Sequence, residues 1–77
     1  MRAMKVTVKR EPFLMILAKK NISQNGLARV TGLTSGLLSQ IATGKRNVAP
    51  KTRDQILKAL DDVSFDDIFA VRFVGRR

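Results

Sequence analysis

Residues 23–46 read Ser23-Gln24-Asn25-Gly26-Leu27-Ala28-Arg29-Val30-Thr31-Gly32-Leu33-Thr34-Ser35-Gly36-Leu37-Leu38-Ser39-Gln40-Ile41-Ala42-Thr43-Gly44-Lys45-Arg46, and the reading of this stretch decides the fold. Ser23 carries a short side-chain oxygen suited to an N-cap, which predicts a helix from there to near Thr31, with Leu27, Ala28 and Val30 as its apolar residues. Gly32 takes the left-handed conformation at little cost and ends that helix. Thr34 caps a second short helix, from about Ser35 to Thr43, with Leu38 and Ile41 inward, and Gly44 ends it. Two helices crossing steeply over a turn of roughly three to four residues need a small residue where they touch, and Ala28 supplies it. Leu27, Leu33, Leu38 and Ile41 then lock the pair together. Ser35, Gly36, Ser39, Gln40 and Thr43 are left facing outward.

The flanking segments extend this unit in both directions. Met4 to Lys9 alternates apolar and polar with two Val residues, which predicts a strand over 4–9. Glu11-Pro12 opens a first helix that runs to about Lys20, with Phe13, Ile16 and Leu17 on one face. Leu14 and Met15 widen that face, to be covered either by strand or tail residues or by a second subunit. Downstream, a basic loop, Lys45-Arg46-Asn47, leads to Pro50. A fourth helix follows to about Leu60, with Ile56, Leu57 and Leu60 at core spacing and Asp54 and Lys58 one turn apart. Ser64-Phe65-Asp66-Asp67 has the pattern of a capping box with Asp for Glu, so a last short helix carries Ile68 and Phe69. Ala70 to Val74 alternates like a strand and is placed to pair with residues 4–9. Two strands are marginal alone, so the first helix is expected to pack beneath them. The expectation is one mainly α domain over residues 1–77, with five helices and a small two-stranded sheet joining the ends.

Composition narrows the function. The chain has 77 residues, 15 Lys plus Arg against 6 Asp plus Glu, a net charge of +9, and no Cys, His, Trp or Tyr. Disulfides are excluded, and zinc or haem would lack their usual ligands. Neither a His base nor a Cys nucleophile exists, and Glu11 is the one Glu, so the chain is not read as an enzyme and no cofactor or metal is expected. A charge this positive calls for a polyanionic partner. The longest apolar run, Phe13 to Ala18, falls far short of the roughly 20 residues of a membrane span, and no secretory core follows the basic start, so a cytoplasmic protein is expected. Twelve of the basic residues fall in residues 1–60 beside only Glu11 and Asp54, which puts the contact surface there. The pairs Asp61-Asp62 and Asp66-Asp67 lack the alternating ligands of a calcium loop and are read as solvated turns.

Ser23 to Ala28, Thr31-Gly32-Leu33-Thr34, Leu38-Ser39-Gln40-Ile41 and Gly44-Lys45-Arg46 together resemble the Cro/repressor (Xre-type) helix-turn-helix family. Ile56 to Leu60 and Ser64 to Phe69 are similar to that family's fourth and fifth helices, so the resemblance covers roughly residues 12–69. It implies a five-helix DNA-binding domain of prokaryotic or phage type, acting as a homodimer on two half-sites of double-stranded DNA. It further implies that Gln24 contacts a backbone phosphate, that Ser35, Gly36, Ser39 and Gln40 face base edges in the major groove, and that Lys45 and Arg46, with Lys51, contact phosphates. Thr34 joins the phosphate set and Thr43 the base-facing set. Leu37 is read either as partly packed or as meeting a thymine methyl.

The chain departs from the family pattern at several points. Ala42 stands where many members have Glu, and Gly26 where a helix former is usual. Gly36 inside the reading helix costs roughly 1 kcal/mol relative to Ala. No Arg lies on the expected reading face, which leaves Gln40, bidentate to adenine, as the best base reader. Arg29, Lys19, Lys20, Lys58 and Arg53 are read as general surface charge, and Arg2, Arg76 and Arg77 as either reaching flanking DNA or disordered. The expected function is sequence-specific DNA binding in transcription control. The alternative is a protein-interaction module, an antitoxin, anti-repressor or modulator, using the apolar surface of the first helix.

Overall fold

The computed structural model of the chain describes residues 3–75. The elements run β1 (Ala3–Val8), α1 (Arg10–Lys19), α2 (Gln24–Thr31), α3 (Ser35–Ala42), α4 (Pro50–Leu60), α5 (Phe65–Ile68) and β2 (Phe69–Val74). The protein is thus mainly helical, with β1 and β2 paired antiparallel, Val6 opposite Val71 and Val8 opposite Phe69. Arg2, Arg76 and Arg77 lie outside the described residues.

The local punctuation explains the helix boundaries. The Gly26 N–H donates to Ser23 Oγ at 2.9 Å, and the Leu37 N–H to Thr34 Oγ1 at 3.1 Å, so both short helices begin on side-chain caps. Gly32 and Gly44 take φ of 79° and 80°, the left-handed values that end α2 and α3. Gly26 fits its unusual position because a Cβ there would stand 3.2 Å from both Ser23 Oγ and Ile22 Cγ1. Pro50 sits at the start of α4, as its missing N–H permits.

The core is one cluster around Phe13, Leu27, Leu38, Ile41, Ile56 and Ile68, all 0–1% exposed. α2 packs on both α3 and α4, while α1 packs on α5 and α3. One expectation needs correction: β1 lies chiefly against α3, and β2 against α5, instead of both resting on α1. α5 leads into β2 with no connecting residue, so the helix that precedes that strand in the chain is the one that lies against it. Phe69, expected in the last helix, is buried as the first residue of β2, its ring 5.3 Å from that of Phe65.

The loop after α3 is tied to the sheet. The Val48 N–H donates to the Val6 carbonyl at 2.8 Å, and the Val6 N–H donates to Asn47 Oδ1 at 2.9 Å. The outer edge of β1 is therefore occupied by residues 47–48, and Val48 is buried beneath.

The acidic pairs have structural tasks. Asp62 accepts from Lys20 Nζ at 2.6 Å, which holds its carboxyl below the ordinary range. Asp67 accepts the Ser64 N–H at 2.9 Å in the capping box, and that bond lowers its carboxyl likewise. Lys58 pairs with Asp54 at 3.2 Å, one turn apart as expected. Two cations read as plain surface charge have definite partners: Lys20 in the pair above, and Arg53, whose guanidinium lies 5.8 Å from the Phe65 ring centre.

Candidate nucleic-acid interface

On α3 a periodicity of 3.6 separates two kinds of residue. Leu38, Ile41 and Ala42 are buried, which anchors the helix to α2 and β1. Ser35, Gly36, Ser39 and Gln40 are exposed, as is Thr43 at the helix end. Leu37 is half-buried and packs on the core, the first of the two alternatives read for it. Thr34 spends its hydroxyl oxygen on the α3 cap and keeps its O–H to donate.

Two shallow grooves join these residues to others that are distant in sequence. Gln24, Ser39 and Thr43 line the first together with Arg10, Leu14 and Ala42. Thr43 also lines the second, with Gly44, Lys45, Lys9, Arg10 and Arg72. The polar end of α3 thus runs into a cationic channel along the start of α1 and the sheet. Among the described residues, carboxylates form ion pairs only with Lys20 and Lys58, so Arg10, Lys45, Arg46, Lys51 and Arg72 keep uncompensated charge. Lys9 is partly committed, its Nζ donating to the Asp66 carbonyl at 2.8 Å. Lys51 is exposed in the first turn of α4 and lies in neither groove.

Arg10 and Arg72 were not legible as members of this surface. Their nearness to Thr43 follows from the pairing of β1 with β2 and from the fold-back of the 44–48 loop, and no local pattern announces either. Leu14 is half-buried and lines the first groove, while its neighbour Met15 is 56% exposed. A second correction concerns arginine. The reading face was expected to lack one, yet Arg46 Nη1 donates to Gln40 Oε1 at 2.7 Å. The loop geometry brings it there: the Thr43 hydroxyl donates to the Gln40 carbonyl at 2.6 Å and accepts the Lys45 N–H at 3.3 Å, while Gly44 reverses the chain.

Gly36 is open, with nothing within 4 Å of where a Cβ would stand. The fold therefore gives no steric reason for glycine at this exposed helical site. Gly36→Ala is expected to stabilise the domain by about 0.5–1 kcal/mol, read by chemical denaturation. If the bare backbone serves close approach to a duplex, the same variant binds DNA more weakly in an anisotropy titration.

Comparison with known proteins agrees with this geometry. A family model described as helix-turn-helix matches residues 14–68, a span that includes α2, α3 and the loop between them. Searches of curated proteins and of solved structures find no significant match to the chain. With most of its length covered by that model, the chain belongs to the Cro/C1-type, Xre-like helix-turn-helix family of DNA-binding regulators.

Proposed function

We propose that this protein is a sequence-specific double-stranded DNA-binding regulator of transcription, with α3 seated in the major groove. The observation that carries this reading is the division of α3. Its buried face fixes the helix to the scaffold, and its exposed face offers Ser35, Gly36, Ser39 and Gln40 to base edges. Thr43 extends that face, and Leu37 adds what apolar surface its packing leaves. Lys45 and Lys51, with Gln24 and Thr34, take the phosphates, Arg10 and Arg72 join them along the channel, and Arg46 reaches past them to Gln40 on the α3 face. Phosphate contacts supply affinity without sequence information, while the α3 face supplies the selection.

The regulator acts as a homodimer in this proposal. Met4 and Phe73 stand opposite each other on the sheet, with Val71 on the same face, and these three are 59%, 60% and 45% exposed. An apolar sheet end of this kind favours burial against a second copy. The rival reading, a protein-interaction module working through α1, loses much of its surface: Leu14 and Ile16 are half-buried against the core, which leaves Met15.

Selection of bound sites from random duplex DNA tests the proposal. It predicts one enriched motif in two inverted half-sites, their centres about one helical turn apart. Recovery of unrelated sequences with no enriched motif overturns it.

A further inference from the structure

We infer that Arg46 is a specificity-determining residue, which turns Gln40 from an adenine reader into a guanine reader. The inference rests on the proposed seating of α3 in the major groove and deepens it. Its foundation is the hydrogen bond from Arg46 Nη1 to Gln40 Oε1 at 2.7 Å.

The contact fixes the orientation of the Gln40 amide. A guanidinium has donors and no acceptor, so it pairs only with the amide oxygen; the flipped amide would set donor against donor. The Gln40 NH₂ group therefore points away from Arg46, and both residues are exposed. Arg46 is also held from both sides along the chain. On one side Thr43 accepts the Lys45 N–H, and on the other Asn47 and Val48 bond to β1. The side chain thus returns over α3 from an anchored loop.

The major-groove code then gives the consequence. Adenine presents an acceptor at N7 and a donor at N6, and an unencumbered Gln matches it with one donor and one acceptor. Guanine presents two acceptors, N7 and O6. The Gln40 oxygen keeps one of its two lone pairs, but beside a cationic donor, while its NH₂ and the remaining guanidinium N–H groups of Arg46 present donors to the groove. The joint surface donates and is cationic. It complements guanine, and it sets a positive donor against the N6 amino group of adenine. A Lys at position 46 would keep the charge but lose the planar fork that bonds the amide and a base together.

The test compares bound-site selection by the full chain as wild type, Gln40→Ala, Arg46→Met and Arg46→Lys, with melting curves to confirm that each variant folds. Loss of preference in Gln40→Ala identifies the base position that Gln40 reads. At that position the wild type is expected to select guanine by about tenfold or more over adenine. Arg46→Met is expected to lose that preference and move toward adenine, with the other positions unchanged, and Arg46→Lys not to restore guanine. Selection of adenine by the wild type there overturns the inference. So does a uniform loss of affinity in Arg46→Met with guanine preference intact, since a phosphate contact alone would behave that way. A wild type that enriches no motif refutes the regulator reading itself, and this inference with it.

Discussion

Leu38→Ala is expected to remove about 2–5 kcal/mol of stability, read as a lower urea midpoint at an unchanged slope. Leu38 is fully buried on α3, the face that meets α2, and its truncation leaves a cavity that two short, doubly capped helices cannot easily close. A 77-residue domain holds only about 4–12 kcal/mol in total, so much of the folded population is at stake. The functional consequence is sharper than the loss of stability. The variant keeps the full net charge of +9, and any attraction due to that charge alone survives in it. Sequence-specific binding is expected to fall with the folded fraction as temperature or urea rises, while weak, salt-sensitive adhesion to any duplex persists. Parallel loss of both would show that net charge alone does not hold the unfolded chain on DNA.

Lys45→Ala combined with Lys51→Ala is the second large effect. Each lysine is exposed and without a carboxylate partner among the described residues, so each can release a counterion from a phosphate. The slope of log affinity against log salt is expected to become shallower by about 1.8, or 0.9 for each lost contact. Over a fourfold rise in salt the wild type then loses about tenfold more affinity than the variant. The loss falls equally on specific and scrambled duplexes, because phosphates carry no sequence. Lys58→Ala supplies the control. Its ammonium is paired with Asp54 on α4, and it should leave the slope nearly unchanged.

The features that were legible beforehand share a local cause. Ser23 and Thr34 cap helices through bonds to residues three positions on, Gly32 and Gly44 end them through their own φ angles, and Ser64 with Asp67 closes the capping box. Each rests on neighbours in sequence, so a chemist can read it without a fold. The inward positions Phe13, Leu17, Leu38 and Ile41 follow similarly from the helical period. What escaped depends on which elements meet. Periodicity shows that α1 has an apolar face but not that α5 and α3 cover it, nor that Leu14 faces the groove beside Gln24. Likewise, Arg10 and Arg72 reach the candidate surface through the β1–β2 pairing and the strand-like bonding of Asn47 and Val48. The Arg46 fold-back onto Gln40 joins residues six apart across the end of α3, a separation at which spacing alone says nothing about contact.

Under the proposed function the net charge accounts for attraction to DNA, and the exposed face of α3 for the choice among sequences. The most direct measurement of that claim is a competition titration. Wild type and Gln40→Ala are each measured on the selected duplex against a scrambled one, at one fixed salt concentration. A wild-type preference of about a thousandfold or more is expected, narrowed by at least about tenfold in Gln40→Ala, with affinity for the scrambled duplex unchanged. Equal wild-type affinity for both duplexes would contradict it.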